Sequence, residues 1–170
     1  MIKGGLNSPP LFFMKKILLT TFMLLSFAPG FAATSGSLSV TGMIAVVNDL
    51  SVSSYSEATN LDIIGGENGT LIADISELSN NPDGYTIQLT STNNGKLINT
   101  TNSIYQVSYQ ISYDNGAYLS PINTPNTVKN IYFLNQKTTD VSPIKIRFSP
   151  YVNAGSGSYE DSITLSIVAN

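Results

Sequence analysis

Carboxylates, tyrosines and hydroxyls are the reactive side chains of this sequence; it has no histidine and no cysteine. Without histidine it lacks the commonest general base and metal ligand, and without cysteine it lacks the thiol nucleophile and any disulfide. Acid–base work by carboxylates needs two of them on one face. Glu160 and Asp161 are adjacent, so in a strand they point to opposite faces, and Asp74 and Glu77, three apart, are separated in the same way. Asp62 and Glu67 flank the Gly65-Gly66 pair of "IIGGENGT" within reach of a cation, but the Asp-x-Asp-x-Asp-Gly spacing of a calcium loop is missing. Serine is abundant but has no partner base. The expectation is a protein that is not an enzyme, with no catalytic residue, metal or cofactor.

The 9 tyrosines invite a sugar-stacking reading. In "YQVSYQISY", however, Tyr105, Tyr109 and Tyr113 alternate with polar residues and share their face with Val107 and Ile111. That pattern is a core layer whose hydroxyls reach the rim.

The elements that would position these groups are strands. "GYTIQLTST" places Tyr85, Ile87 and Leu89 on one face, "IKIRFSP" does so with Ile144, Ile146 and Phe148, and "SYEDSITLSIVAN" with Tyr159, Asp161, Ile163, Leu165 and Ile167. "LIADISELSNN" reads as a strand presenting Leu71, Ala73, Ile75 and Leu78. Breakers separate the runs ("SNNPDG", "STNNGK", "NTPN", "NAGSGS"), and Asn115-Gly116 signals a tight hairpin turn. No segment after residue 32 has a helical period. Short amphipathic strands with regular turns predict one all-β domain, an antiparallel β-sandwich.

The N-terminal part has a different character. Lys15 and Lys16 precede the apolar run at 17–28, then "PGFAA" follows, which is the pattern of a secretory signal peptide. The run is short for a membrane span, which needs about 20 residues. Small residues Gly30 and Ala32 place cleavage after Ala32; cleavage after Ala33 would put Phe31 at the third position before the cut. Residues 1–13 read as a non-native extension ahead of a start at Met14, and 14–32 as the signal. Beyond residue 32 lie all 11 acidic residues but only Lys96, Lys129, Lys137, Lys145 and Arg147, a net charge of −6. That balance argues against nucleic acid and anionic membrane as partners.

The two ends carry a resemblance. "GSLSVTGMIAVVNDLSV", with Leu38, Val40 and Gly42, and "NAGSGSYEDSITLSIVAN", with Gly157, Tyr159, Ile163, Leu165 and Ile167, resemble the ends of chaperone–usher fimbrial (pilin) subunits. The cysteine-free colonisation-factor pilins are the nearest kind, and spore-coat-U-like fimbrial domains are a more distant relative. The resemblance implies an immunoglobulin-like sandwich that lacks its final strand and is completed by one donated from elsewhere. Two residues follow Val168, too few for another strand. It further implies a structural subunit of a bacterial fimbria, exported to the periplasm and then the cell surface. Its partners would be neighbouring subunits, a periplasmic chaperone, an outer-membrane usher and, in adhesion, a host-surface receptor.

On this reading residues 33–42 are the donor extension, with Gly36, Leu38, Val40 and Gly42 at the interface. Residues 43–170 are the domain, with 43–52 as its covered first strand. Tyr159, Ile163, Leu165 and Ile167 form the C-terminal side of the acceptor groove. The alternative is a secreted or periplasmic binding module that completes its own sandwich with its N-terminal strand. The two differ in where Leu38 and Val40 lie.

Overall fold

A computed structural model describes residues 38–170. By contacts the chain divides into Met1–Gly42 and Met43–Asn170. Of the first unit only 38–42 are described, an irregular stretch in which Leu38 and Val40 are exposed. The signal segment, Ala32, Ala33 and Gly36 lie outside the described residues.

The second unit is all-β and antiparallel. Its strands are β1 (Asn48–Ser54), β2 (Glu67–Ser79), β3 (Tyr85–Ser91), β4 (Lys96–Asn99), β5 (Gln106–Ser108), β6 (Gln110–Tyr113), β7 (Asn126–Ile131), β8 (Thr138–Phe148), β9 (Tyr159–Glu160) and β10 (Ile163–Ala169). One layer has the order β1-β2-β8-β6. The other is built from β10-β3-β7 and β5-β4-β9. β3 and β4 are two parts of one line, interrupted by an excursion in which Asn94 and Gly95 take positive φ. β9 and β10 follow the same line, pairing with β4 and β3 respectively.

Period two explains the core. Tyr85, Ile87 and Leu89 of β3 and Ile144, Ile146 and Phe148 of β8 are buried, and Val107, Tyr109, Ile111 and Tyr113 join them. The last four share a face, yet they serve two layers: β5 pairs with β4, the chain crosses at Tyr109, and β6 pairs with β8. Tyr109 and Tyr113 therefore pack inward, whereas Tyr105 precedes β5, is half-buried and lies against Gly155 rather than in the core.

Three expectations need correction. The first strand begins at Asn48, not residue 43; Met43, Ile44 and Val46 are exposed and irregular. Ahead of the strand the backbone bonds to a side chain: Val47 N–H donates to Asn80 Oδ1 at 2.6 Å, and Asn80 Nδ2 donates to Ala45 O at 2.9 Å. On β2 the inward residues are Ala73, Ile75 and Glu77 rather than Leu78, because period two from Ala73 carries to Glu77 and turns Leu78 to the other face; upstream, where the register shifts between Leu71 and Ala73, Ile72 rather than Leu71 packs on the core. The turn after β6 has its left-handed residues at Asp114 and Asn115, one position before Asn115-Gly116.

Candidate functional site

The two lateral seams of the sandwich differ. One lies where β7 faces the β6 side. There Lys129 of β7 reaches into the other layer: its Nζ is 3.1 Å from Glu77 Oε2, 2.5 Å from Asp140 Oδ2 and 3.3 Å from Asp114 Oδ2. It also donates to Ser142 Oγ at 2.9 Å. Glu77 is fully buried and accepts the hydroxyls of Tyr85 at 2.7 Å and Tyr113 at 2.5 Å. This network satisfies a charge that burial would otherwise penalise heavily. The carboxylates hold the Lys129 ammonium above its usual range against the burial that opposes its charge. Burial, and then hydrogen bonding to Glu77, push both tyrosines up as well.

The other seam, between β1 and β10, is open. Each strand has one hydrogen-bonded neighbour, β2 for β1 and β3 for β10, so among the described residues each leaves one edge unpaired. Burial falls off toward this seam. Leu89 and Ile87 of β3 are fully buried, while their partners Leu165 and Ile167 on β10 are only half-buried. Val52 of β1 is 52% exposed opposite Ile75, which is 0% exposed. A cleft of about 310 Å³ opens here, lined by Val52 and Ile72 on one side and Ile163 and Leu165 on the other, with Tyr109, Ile144 and Ile146 at its floor.

Asp161 is the one charged residue lining this cleft. Its Oδ2 accepts the Ser91 hydroxyl at 2.6 Å and the Tyr109 hydroxyl at 2.7 Å. Its Oδ1 accepts the backbone N–H of Asn93 at 2.9 Å and of Ser162 at 2.7 Å. The carboxylate is thus bound from four directions and holds the break between β9 and β10. Burial and the bond to Asp161 push the Tyr109 hydroxyl up.

Of the four C-terminal residues expected at a groove, Ile163 and Leu165 line this cleft. Ile167 lies on the same inward face and packs on the core. Tyr159 stands apart. It belongs to β9, pairs with Asn99, donates its hydroxyl to Gly155 O at 2.9 Å and lines a neighbouring depression with Leu97 and Asp161. Gly42 sits in open space: a Cβ there would meet nothing within 4 Å. Among the described residues nothing demands a small side chain at that position. The other half of the cleft, Val52 with Leu50 beside it, was not anticipated as a groove wall. Its period-two pattern Leu50, Val52 is present in the sequence, but nothing there shows that no strand covers it.

The acidic pairs considered for chemistry have structural work. Asp62 Oδ1 accepts Gly65 N–H at 2.7 Å, and Glu67 accepts Asp62 N–H at 2.8 Å and the Thr70 hydroxyl. Asp74 accepts the Tyr55 hydroxyl at 2.6 Å while Glu77 points inward. Among the described residues no cluster of three or more acidic side chains is placed to hold a metal, and no helix is long and apolar enough to cross a membrane.

No protein-family model matches the sequence, and no curated protein is similar to it. Among solved structures, the chain is similar to the minor tip subunit HdaB of the E. coli Hda pilus, with 12% identity and a TM-score of 0.36. That similarity covers 70% of this chain and 79% of the pilus subunit.

Proposed function

We propose that this protein is a structural subunit of a bacterial surface fimbria that polymerises by donating a strand to its neighbour. The observation that carries the proposal is the open seam: two unpaired strand edges flanking an apolar cleft. β1 (NDLSVSS) and β10 (ITLSIVA) contain no lysine and no proline, two of the usual guards of a free edge. An inserted strand satisfies both rows of backbone groups and covers the half-exposed inward side chains. Each medium apolar side chain taken from full exposure to full burial contributes about 1.5–3 kcal/mol. The donor is the segment 36–42, with Leu38 and Val40 as the two plugs. They are 88% and 86% exposed. A periplasmic chaperone and an outer-membrane usher would protect and deliver the subunit, and the protein acts without catalysis or cofactor.

The test separates donor from acceptor. Leu38→Asp removes the plug and leaves the cleft; Leu165→Asp spoils the cleft and leaves the plug. Wild-type protein should form ladders in unboiled gels, and neither variant should do so alone. Mixed, the two give a heterodimer and nothing longer. If Leu38→Asp instead unfolds a stable monomer, the protein completes its own sandwich and strand donation is refuted.

A further inference from the structure

A second cleft, of about 600 Å³, shares only Tyr109 with the lining of the cleft at the β1/β10 seam. It is polar, and its central feature is Arg147. The alternation of β8 buries Ile146 and Phe148 and turns Arg147 to the outer face of its sheet. Its Nε and Nη2 both donate to Gln110 Oε1, at 2.9 and 2.8 Å. Its guanidinium carbon lies 4.0 Å from the centroid of the Tyr118 ring. The Tyr118 hydroxyl in turn sits over Gly69, where a Cβ would approach it to 2.9 Å. Arg147 is thus held on an edge and on a face before any ligand arrives, which lowers the ordering cost of binding.

Arg147 makes no ion pair among the described residues, although the surrounding protein is acidic. The salt bridges there belong to Lys129. The remaining N–H groups of a guanidinium fork suit a carboxylate. The walls select further. Ser108, Ser120 and Asn68 offer hydroxyl and amide groups, and Glu67 adds a carboxylate. Glu67 repels a bare anion; its Oε1 and Oε2 already accept Asp62 N–H and the Thr70 hydroxyl, and the remaining lone pairs can accept hydroxyl protons. A ligand suited to this set carries one carboxylate and several hydroxyls, and it is small enough for a cleft of this volume.

We propose that this cleft binds a carboxylate-bearing sugar at the end of a glycan, with Arg147 receiving the carboxylate and Glu67 with the serines receiving the hydroxyls. The assignment is independent of strand donation, since it uses no residue of the open seam. It would give each subunit a weak contact of its own.

The test is titration of the purified full chain, followed by NMR, with 3′-sialyllactose and with a glucuronic-acid-terminated disaccharide. Lactose and inorganic sulfate are the controls. At least one acidic sugar should bind saturably, with both controls about tenfold weaker or more. Arg147→Gln should lose about tenfold or more. Arg147→Lys, which keeps the charge but not the fork, should lose a similar factor, whereas Lys145→Gln should change binding by less than about twofold. The assignment is overturned if neither acidic sugar binds, if sulfate binds as well as the sugar, or if the Arg147→Lys protein binds as tightly as wild type.

Discussion

Replacing Lys129 by methionine tests the closed seam. Methionine keeps the length and apolar stem of lysine and deletes the ammonium. What remains is Glu77, whose side chain is 0% exposed, holding the hydroxyls of Tyr85 and Tyr113 but no countercharge. Breaking a buried ion pair from one side costs about 3–5 kcal/mol. Asp140 and Asp114 are 49% and 43% exposed, so they rehydrate and contribute little. The two tyrosine hydroxyls soften the loss at Glu77. The expected cost is therefore about 3 kcal/mol, a large share of the 5–15 kcal/mol that holds a typical domain. The chain has no tryptophan, so the assay is urea unfolding followed by far-ultraviolet circular dichroism. The decisive comparison is a double-mutant cycle. Glu77→Gln added to Lys129→Met keeps an acceptor for the tyrosines and removes the stranded charge. It should recover about 2 kcal/mol. A Lys129→Met cost below about 1 kcal/mol, or a double mutant that is merely additive, refutes the view that Lys129 neutralises Glu77.

Three further outcomes follow from the same geometry. Above pH 10 the unfolded chain loses tyrosine protons that Tyr85, Tyr109 and Tyr113 retain when folded, their hydroxyls being pushed up chiefly by burial. Stability is therefore intact below about pH 10 and should fall by about 1.4 kcal/mol per pH unit for each group above it; tyrosine absorbance during alkaline titration should show three of the 9 ionising only on unfolding. Gly84→Ala should cost about 3 kcal/mol or more, or prevent soluble expression, because Gly84 has φ +81° and its Cβ would fall 1.8 Å from Ile131 O; urea midpoints decide. Asp161→Ala should cost about 2–4 kcal/mol by stranding the hydroxyls of Ser91 and Tyr109, and it should accelerate amide exchange in β9 and β10; unchanged exchange would remove Asp161 as the post between those strands.

The strands whose inward residues are mostly apolar were legible in the sequence: β3, β8 and the β5–β6 run alternate visibly, and the structure buries the apolar residues expected except Tyr105, which precedes β5 and is half-buried. Where the core is polar, alternation gave no warning. Glu77 falls on the inward parity of β2, but its burial makes sense only with Lys129, 52 residues away, and with two tyrosines from other strands. β7 went unrecognised for the same reason, since its inward lysine breaks the apolar pattern. The cleft was half legible. Ile163 and Leu165 follow from period two, but the partner wall on β1 depends on which strands are neighbours, and a single strand's pattern carries no information about its neighbours. Tyr159 was grouped with β10 by parity, whereas Asp161 breaks the strand there through contacts with β3 and its loop.

The contrast between the two seams bears on why one can stay open. A polar seam left uncovered is hydrated, and covering it costs about 1–3 kcal/mol for each donor or acceptor that then lacks a partner. The open seam avoids this: Asp161 is bound by four donors from within the chain, and among the described residues no buried side-chain polar atom lacks a partner. Its deficits are of two kinds, half-exposed apolar side chains and the unpaired backbone edges of β1 and β10. A β-strand supplies the remedy for both, with alternate side chains for the cleft and N–H and C=O groups for the edges. A small ligand would cover the apolar surface and leave the edges unpaired. The closed seam could not exchange partners in this way, because Lys129 is placed by three carboxylates that a newcomer would have to reproduce. On the proposed strand-donation reading, the exchangeable joint belongs on the apolar side, with the ion cluster as the fixed wall opposite it.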